Sequence, residues 1–269
     1  MKDDSNFAAP RKSLGQNFLQ DPNIIRKIVA GLAIKPDDIV LEIGPGRGAL
    51  TELILPMAGK THVVEFDRDL ARYWRQRSEV EATLEVYEED ILKFQLSDIT
   101  AASDKKIKVI GNLPYNISSP VLFHLMKSAA LISTQLVMLQ KEVVQRICAD
   151  PGSKQFGRLS VMLQYRYHIE NLFVVPPNAF FPPPKVDSAI ARFTPRAKIE
   201  HATSNLQHLE LIVKQAFSQR RKTLRNTLKG YIDTEQIESV GVLPSARAET
   251  LSVFDFVRLS NLYSKTQEE

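Results

Sequence analysis

Asn112-Leu113-Pro114-Tyr115 is the stretch whose residue types most directly suggest chemistry. It follows an apolar run, Ile107 to Ile110, that reads as a strand ending in Gly111. The Asn side-chain oxygen and the carbonyl before proline can both accept hydrogen bonds from an exocyclic amine. The Tyr ring can stack on the planar base that carries the amine. Adenine's amine is a poor nucleophile because its lone pair is delocalised into the ring. Two acceptors that draw its hydrogens out of plane would localise that pair and aim it at an electrophile. By itself the tetrapeptide suits a strand followed by a proline turn equally well, since Asn and Pro are common loop formers.

Three further motifs sit where strands are expected to end. Val40 to Ile43 runs into Gly44-Pro45-Gly46-Arg47-Gly48. Glycines after a strand let the backbone approach a ligand closely and open a helix. The spacing resembles a dinucleotide fingerprint, but a GxGxG loop after a strand bearing Glu42 is commoner in enzymes that use S-adenosylmethionine (SAM). There Gly44 and Gly46 accommodate the amino-acid part of the cofactor; the plainer reading is a tight strand–helix turn. Glu65 lies 21 residues after Gly44, at the tip of the run Val63-Val64, where an acid can take both ribose hydroxyls. Asp67 and Asp69 read as local turn and capping residues. Asp90 ends the next strand and can accept from the cofactor's adenine amine. Glu88 and Glu89 compete on spacing, but Asp90 directly precedes Ile91-Leu92, which would pack around the ring.

Later in the chain, Phe180 precedes Phe181-Pro182-Pro183-Pro184. A proline-stiffened loop can hold an aromatic rigidly for base stacking; a core Phe is the alternative. Arg220, Arg221, Lys222, Arg225 and Lys229 form the strongest basic cluster. At helical spacing several share one face, a surface for nucleic-acid phosphates or simply a solvated face. No acidic residue lies between Lys214 and Tyr231 to neutralise them locally. His62, His124, His168, His201 and His208 show no paired spacing for a metal site or triad, and Cys148 is the single cysteine, so neither a disulfide nor a Cys-based metal site can form within the chain.

The elements that must position these residues alternate. Asp21-Pro22 starts a helix, Asp as N-cap and Pro at the first helical position. Strands are expected over Ile39–Ile43, Thr61–Phe66, Leu84–Tyr87, Lys108–Ile110 and Leu136–Leu139. Helices are expected over Ala49–Met57 and Asp69–Arg77 and from Pro120 through Met126. Short connections between them predict an α/β fold, a doubly wound Rossmann-like sheet, mostly parallel, with ligands at the strands' C-terminal ends. Asp150 to Gly157 reads as a polar loop, Ile169–Val175 and Ala189–Phe193 as further strands. Beyond about residue 198 only helices are expected: Leu206–Phe217, Thr223–Leu228, Glu235–Val240 and Leu251–Leu262. The boundary near Ala197 gives a catalytic domain, 1–197, and a smaller all-helical domain, 198–269.

With 43% hydrophobic residues among 269, a sizeable core is affordable. Lys and Arg outnumber Asp and Glu by 35 to 31, and the pI of about 9.0 suits an anionic partner. Met1 to Pro10 reads as a disordered tail; Met1 to Lys12 is polar and lacks an apolar signal core, and no apolar run approaches membrane-spanning length. A cytoplasmic location is expected.

Lys12 to Leu19, Glu42 to Thr51, Glu65, Asp90, Asn112 to Ile117 and Pro182 to Ser188 closely resemble the motifs of the bacterial small-subunit rRNA adenine dimethyltransferases, the kasugamycin-sensitivity methylases. The likeness spans nearly the whole chain. Its N-terminal and proline-rich motifs are far more specific than the glycine loop. One departure is Arg47, where the family usually carries an apolar residue. The resemblance implies SAM as cofactor and adds Asn17 and Leu19 as cofactor contacts, with Asn112 serving cofactor and target alike. Asn112, Pro114 and Tyr115 would then hold the target adenine, with Phe180 as its other stacking partner and Arg220, Arg221, Lys222 and Arg225 on the RNA. The implied substrate is a pair of adjacent adenosines in a hairpin near the 3′ end of 16S rRNA, within assembling 30S subunits. Each adenosine would gain two methyl groups. A monomer without metal or membrane attachment is expected. Two rivals are a large-subunit rRNA adenine methylase of the antibiotic-resistance type and a subunit-assembly factor for which methylation is secondary.

Overall fold

The computed structural model describes residues 10–11, 14–100, 104–199 and 201–267. The tail expected at Met1 to Pro10 lies, Pro10 apart, outside the described residues, as do Lys12 and Ser13 of the N-terminal motif.

In chain order the elements are β1 (Phe18–Leu19), α1 (Pro22–Gly31), β2 (Ile39–Ile43), α2 (Thr51–Ile54), β3 (Lys60–Glu65), α3 (Arg68–Ser78), β4 (Leu84–Glu88), α4 (Ser97–Thr100), β5 (Ile107–Asn112), α5 (Ser118–Lys127) and β6 (Ile132–Gln140). They continue with α6 (Lys141–Ile147), α7 (Arg158–Arg166), β7 (Tyr167–Val175), β8 (Phe180–Phe181), β9 (Ser188–Pro195), α8 (Leu206–Ala216), α9 (Leu224–Thr227), α10 (Thr234–Ser239) and α11 (Val253–Thr266). The α1 start follows the expected chemistry, the Asp21 carboxylate accepting from the Asn23 and Ile24 amides with Pro22 in the first turn. The helix expected over Ala49–Met57 contracts to Thr51–Ile54 between turns. Left-handed Gly48 (φ 83°) precedes it, and Pro56, lacking an N–H, follows it.

Two compact units emerge. The first holds the described residues up to Val144 together with Ile169–Pro195; the second holds Gln145–His168 and the chain from Arg196 onward. The single cut at 197 is thus corrected: the C-terminal unit also claims an internal segment. The reason lies in α7, whose Val161, Met162 and Leu163 are fully buried and which packs on α8 and α11.

The sheet runs in the order β4-β3-β2-β5-β6-β9-β7. Strands β4, β3, β2, β5 and β6 pair in parallel; β9 runs antiparallel to β6. From β2 the chain builds outward through β3 and β4, then returns to lay β5 on the other side of β2. This reversal is the switch point at which α/β sheets bind ligands. The core beside it gathers Ile28, Val29 and Leu32 of α1, Val40 of β2, Ile54 of α2, Ile110 of β5 and Ile190 of β9. A second cluster joins Leu55, Val63, Trp74 and Leu84. Because β9 runs backwards, its first residue, Ser188, pairs with Gln140 at the C-terminal end of β6. The proline-rich segment is thereby delivered to the same end of the sheet as Asn112. In the second unit α7, α8 and α11 pack together, and Arg158 pairs with Glu210 at 2.6 Å. No helix of the described residues is long and apolar enough to cross a membrane.

Candidate active site

The C-terminal ends of β2, β3, β4 and β5 surround a cavity of about 400 Å³ in the first unit. Asn17, Leu19, Gly44, Gly46, Glu65, Asp90, Asn112, Pro114 and Tyr115 all line it, so every expected cofactor contact and all but one expected target contact converge there. Phe180 does not. It is 4% exposed, pairs through its backbone with Leu19, and packs in the main core. The expectation of an exposed stacking ring is corrected: β1–β8 pairing draws Phe180 inward, and the neighbouring Phe181, 50% exposed, is the ring left outside.

Glu65 is buried at the tip of β3. Its Oε2 accepts from the Gly46 amide at 3.1 Å and its Oε1 from the Asp67 amide at 2.9 Å. Burial pushes its pKa up, and the two amide bonds oppose that shift. Each oxygen keeps a second lone pair, enough for two ribose hydroxyls. Gly46 is fixed from its other side as well, since the buried Trp74 indole donates to its carbonyl at 2.9 Å. Gly44 sits at φ 65°, and a Cβ built there would meet no atom within 4 Å. That open, left-handed turn on the cavity wall leaves room for a ligand to lie against the backbone. Asp90 Oδ1 caps the Leu92 amide at 3.0 Å, with Ile91 and Leu92 beside it in the wall as expected. Phe66 was not foreseen. It lines the cavity next to Glu65 and is 62% exposed, a large ring with a free face. A Phe directly after the ribose acid was the available signal.

Asn112 Nδ2 donates to the Asn17 backbone carbonyl at 2.9 Å. The amide's orientation is thereby set, and Oδ1 is the acceptor left for a substrate amine. Tyr115 is held through its hydroxyl, 2.6 Å from Ser188 Oγ on β9; burial raises its pKa and the Ser188 bond lowers it less. In the sequence Ser188 only closes the proline-rich motif, and nothing in its spacing links it to Tyr115. The Lys141–Asp187 pair at 3.1 Å fixes the residue before it.

The N-terminal segment crosses the cavity on its own set of contacts. Gln16 Nε2 donates to Asp67 Oδ2 at 2.9 Å, and the Arg11 guanidinium reaches Asp67 at 3.1 Å and Asp69 at 2.5 Å. Asp67 does cap α3, accepting from the Asp69 amide, but the two acids also anchor this segment, which the capping assignment missed. Arg47 finds its place here: its guanidinium lies over the Phe18 ring, 4.7 Å from the centroid, a cation–π contact. Among the described residues no group of three His, Cys, Asp or Glu side chains is placed to hold a metal ion. His124 bonds the Phe94 carbonyl and His208 bonds Ser264, both structural ties.

The cofactor fit yields a first prediction. Glu65→Gln should weaken SAM binding by about 1.5–3 kcal/mol, the worth of a charge-assisted hydrogen bond, and Asp90→Ala should act in the same direction. Glu65→Ala should also lower the unfolding temperature, because it leaves the Gly46 and Asp67 amides without their buried partner. Calorimetric titrations with unchanged affinity in Glu65→Gln and Asp90→Ala would remove both acids from the cofactor site.

The basic residues belong to the second unit. Arg220, Arg221 and Lys222 lie in the turn after α8, and Arg225 lies on the four-residue α9. The shared helical face expected of them is therefore corrected to a loop cluster. Thr223 explains the break, since it leaves the helix to form an antiparallel bridge with Arg247. All four are exposed. Arg220 donates to the Lys154 carbonyl at 2.5 Å, which ties the cluster to the polar loop 150–157.

The family profile for ribosomal RNA adenine dimethylases matches residues 8–265. A Pseudomonas fluorescens protein named ribosomal RNA small subunit methyltransferase A is 48% identical over 93% of this chain and 93% of its own. One of the same name from Chromobacterium violaceum is 49% identical over 94% and 95%. Among solved structures, a dimethyladenosine transferase from Plasmodium falciparum aligns with a TM-score of 0.77 at 28% identity, covering 90% of this chain and 95% of that one. The 23S rRNA methyltransferase ErmE aligns at 0.71 and 26% identity, covering 92% and 100%. The chain therefore belongs to the ribosomal RNA adenine dimethylase family.

Proposed function

We infer that this protein transfers methyl groups from SAM to the exocyclic N6 of two adjacent adenosines in a 3′-terminal hairpin of small-subunit rRNA, dimethylating each, within assembling 30S subunits. One observation carries the reading: Asn112, already oriented by Asn17, and Tyr115, held by Ser188, sit on one cavity wall with the cofactor residues. When bound, the cofactor supplies a methyl group already activated on a sulfonium. Glu65, Asp90 and the Gly44–Gly46 turn would hold it. Asn112 Oδ1 and the Leu113 carbonyl accept the amine's hydrogens and turn its lone pair out of the ring plane. Tyr115 stacks on the base, which must leave its own stack to enter. The catalytic contribution of these groups is orientation and stabilisation of the positive charge that develops on nitrogen. No strong general base is required, because the proton becomes acidic once nitrogen is alkylated.

The names of the relatives at 48% and 49% identity favour the small subunit over the large one. Incubating the protein with labelled SAM and, in parallel, unmethylated small subunits and unmethylated large subunits, then mapping the modified nucleosides, tests the reading. Label on two neighbouring N6,N6-dimethyladenosines supports it; label confined to large-subunit rRNA sinks it.

Arg220, Arg221, Lys222 and Arg225 would position rRNA phosphates rather than take part in chemistry. The Arg221→Ala/Arg225→Ala variant should bind subunits more weakly. Its log–log salt slope should be shallower by about 0.9 per lost phosphate contact on duplex, and less on single strands. SAM affinity should not change, since none of these residues lines the cavity. Identical slopes for variant and wild type would make the cluster a solvated loop.

A further inference from the structure

Tyr115 is tied down at both ends. Its backbone carbonyl accepts from the hydroxyl of Ser118, at the start of α5, at 3.1 Å. Its own hydroxyl lies 2.6 Å from Ser188 Oγ. Between these anchors the half-buried ring lines the cavity. A ring held only at its Cβ can turn about two side-chain torsions wherever open space lies beside it. A bond at the far end fixes the direction of its axis.

Ser188 has no local reason to be polar. It is 0% exposed, and Ala189, Ile190 and Ala191, which follow it in β9, are apolar and equally buried. A hydroxyl in such surroundings costs stability unless it is bonded, and this one bonds a residue 73 positions away. Tyr115 shows the complementary feature. A phenylalanine would stack on a planar base as well as a tyrosine does, so the phenol oxygen serves the bond rather than the stack. The anchor is itself firm. Ser188 opens β9 opposite Gln140 of β6, and the next residue, Lys141, donates through its backbone amide to the Asp187 carbonyl at 2.9 Å. The far end of the Tyr115 ring is therefore fastened to the sheet.

We propose that Ser188 is a positioning residue for methyl transfer: through the Tyr115 hydroxyl it fixes the ring on which the target base stacks, so that the amine meets Asn112 in one orientation. Its contribution is geometry set before the base arrives, and that is felt in the rate rather than in binding. Cofactor affinity does not depend on it, since Glu65, Asp90 and the Gly44–Gly46 turn do not touch the Tyr115–Ser188 bond.

The proposal rests on the reading of Tyr115 as the seat of the target adenine. Ser188→Ala and Tyr115→Phe each remove one oxygen and keep the ring. Four measurements bear on them: single-turnover methylation of unmethylated small subunits at saturating SAM and saturating enzyme, subunit binding on filters, calorimetric SAM affinity, and thermal unfolding. Each variant should methylate about tenfold more slowly, with SAM and subunit affinities within about twofold of wild type. The double variant should be no slower than either single one, because both substitutions break the same bond. A purely structural role would instead lower the unfolding temperature and SAM affinity together with the rate. A wild-type rate in Ser188→Ala overturns the proposal, and so do losses that add in the double variant or a rate loss matched by an equal loss of SAM affinity. Should Ser188→Ala not fold, Tyr115→Phe decides alone: a wild-type rate refutes the proposal, and a tenfold loss with SAM affinity kept supports it. A wild type that leaves small-subunit adenosines unmethylated would overturn the reading of the reaction itself, and the proposal with it.

Discussion

Replacing Asn112 by Ala is expected to cut the single-turnover methylation rate by about 10²–10³-fold at saturating SAM. That is the usual scale for removing one preorganised polar group from a reacting centre. The argument starts from the strand: β5 ends at Asn112, between β2 and β6, so its position is fixed by two parallel ladders. Nδ2 is spent on the Asn17 carbonyl, and Oδ1 remains for the amine. Ala removes the acceptor and also frees Asn17, which lines the cofactor cavity. A small loss of SAM affinity is therefore expected, within about tenfold for one hydrogen bond. Single-turnover rates at saturating SAM, set beside calorimetric affinities, separate the two effects. A rate near wild type at saturation would leave Asn112 as a tie for the N-terminal segment and end its role toward the amine.

The parallel half of the sheet was legible because its strands are short apolar runs that end in chemistry-bearing residues. Glu65 and Asn112 could be placed at strand tips from that pattern alone, and the Gly44–Gly48 turn from its glycines; Asp90, expected to end its strand, lies two residues beyond the end of β4 at Glu88. What escaped was contact between distant segments. Ser188 meets Tyr115 only because β9 runs antiparallel, a direction that local periodicity does not encode. Phe180 looked exposed because prolines follow it, yet a two-residue pairing with Leu19 carries it into the core. Arg220 to Arg225 have helical spacing, but the bridge from Thr223 to Arg247 takes the backbone out of helix there. The anchors of the N-terminal segment, Arg11 and Gln16 on Asp67, lie more than fifty residues from their partner. In each case tertiary pairing overrode a local signal that was sound in itself.

Two glycines of the site should fail in opposite ways when replaced by alanine. Gly111 lies in β5 opposite Ile43 of β2, and a Cβ there would sit 2.7 Å from the Ile43 carbonyl oxygen and 3.2 Å from its Cβ. The obstacle is backbone in the adjoining strand, which cannot rotate aside. Relief requires β2 and β5 to part at the switch point, and overpacking of this kind costs about 3 kcal/mol. The unfolding temperature of Gly111→Ala should fall by on the order of 5–10 °C. SAM binding should fall with it, because the Gly44 turn and Asn112 sit at the ends of the two strands forced apart. At Gly44 the added methyl group meets no protein atom within 4 Å, and only the left-handed φ of 65° opposes it. Strain of that kind costs about 1–2 kcal/mol, so Gly44→Ala should unfold closer to wild type. Its methyl group projects into the open space that the cofactor's amino-acid end is expected to fill, so its loss of SAM affinity should exceed its loss of stability. Differential scanning fluorimetry and SAM titration on the two variants decide the matter. Wild-type unfolding of Gly111→Ala would refute the strand-spacing argument, and full SAM affinity in Gly44→Ala would move the cofactor's amino-acid end away from this turn.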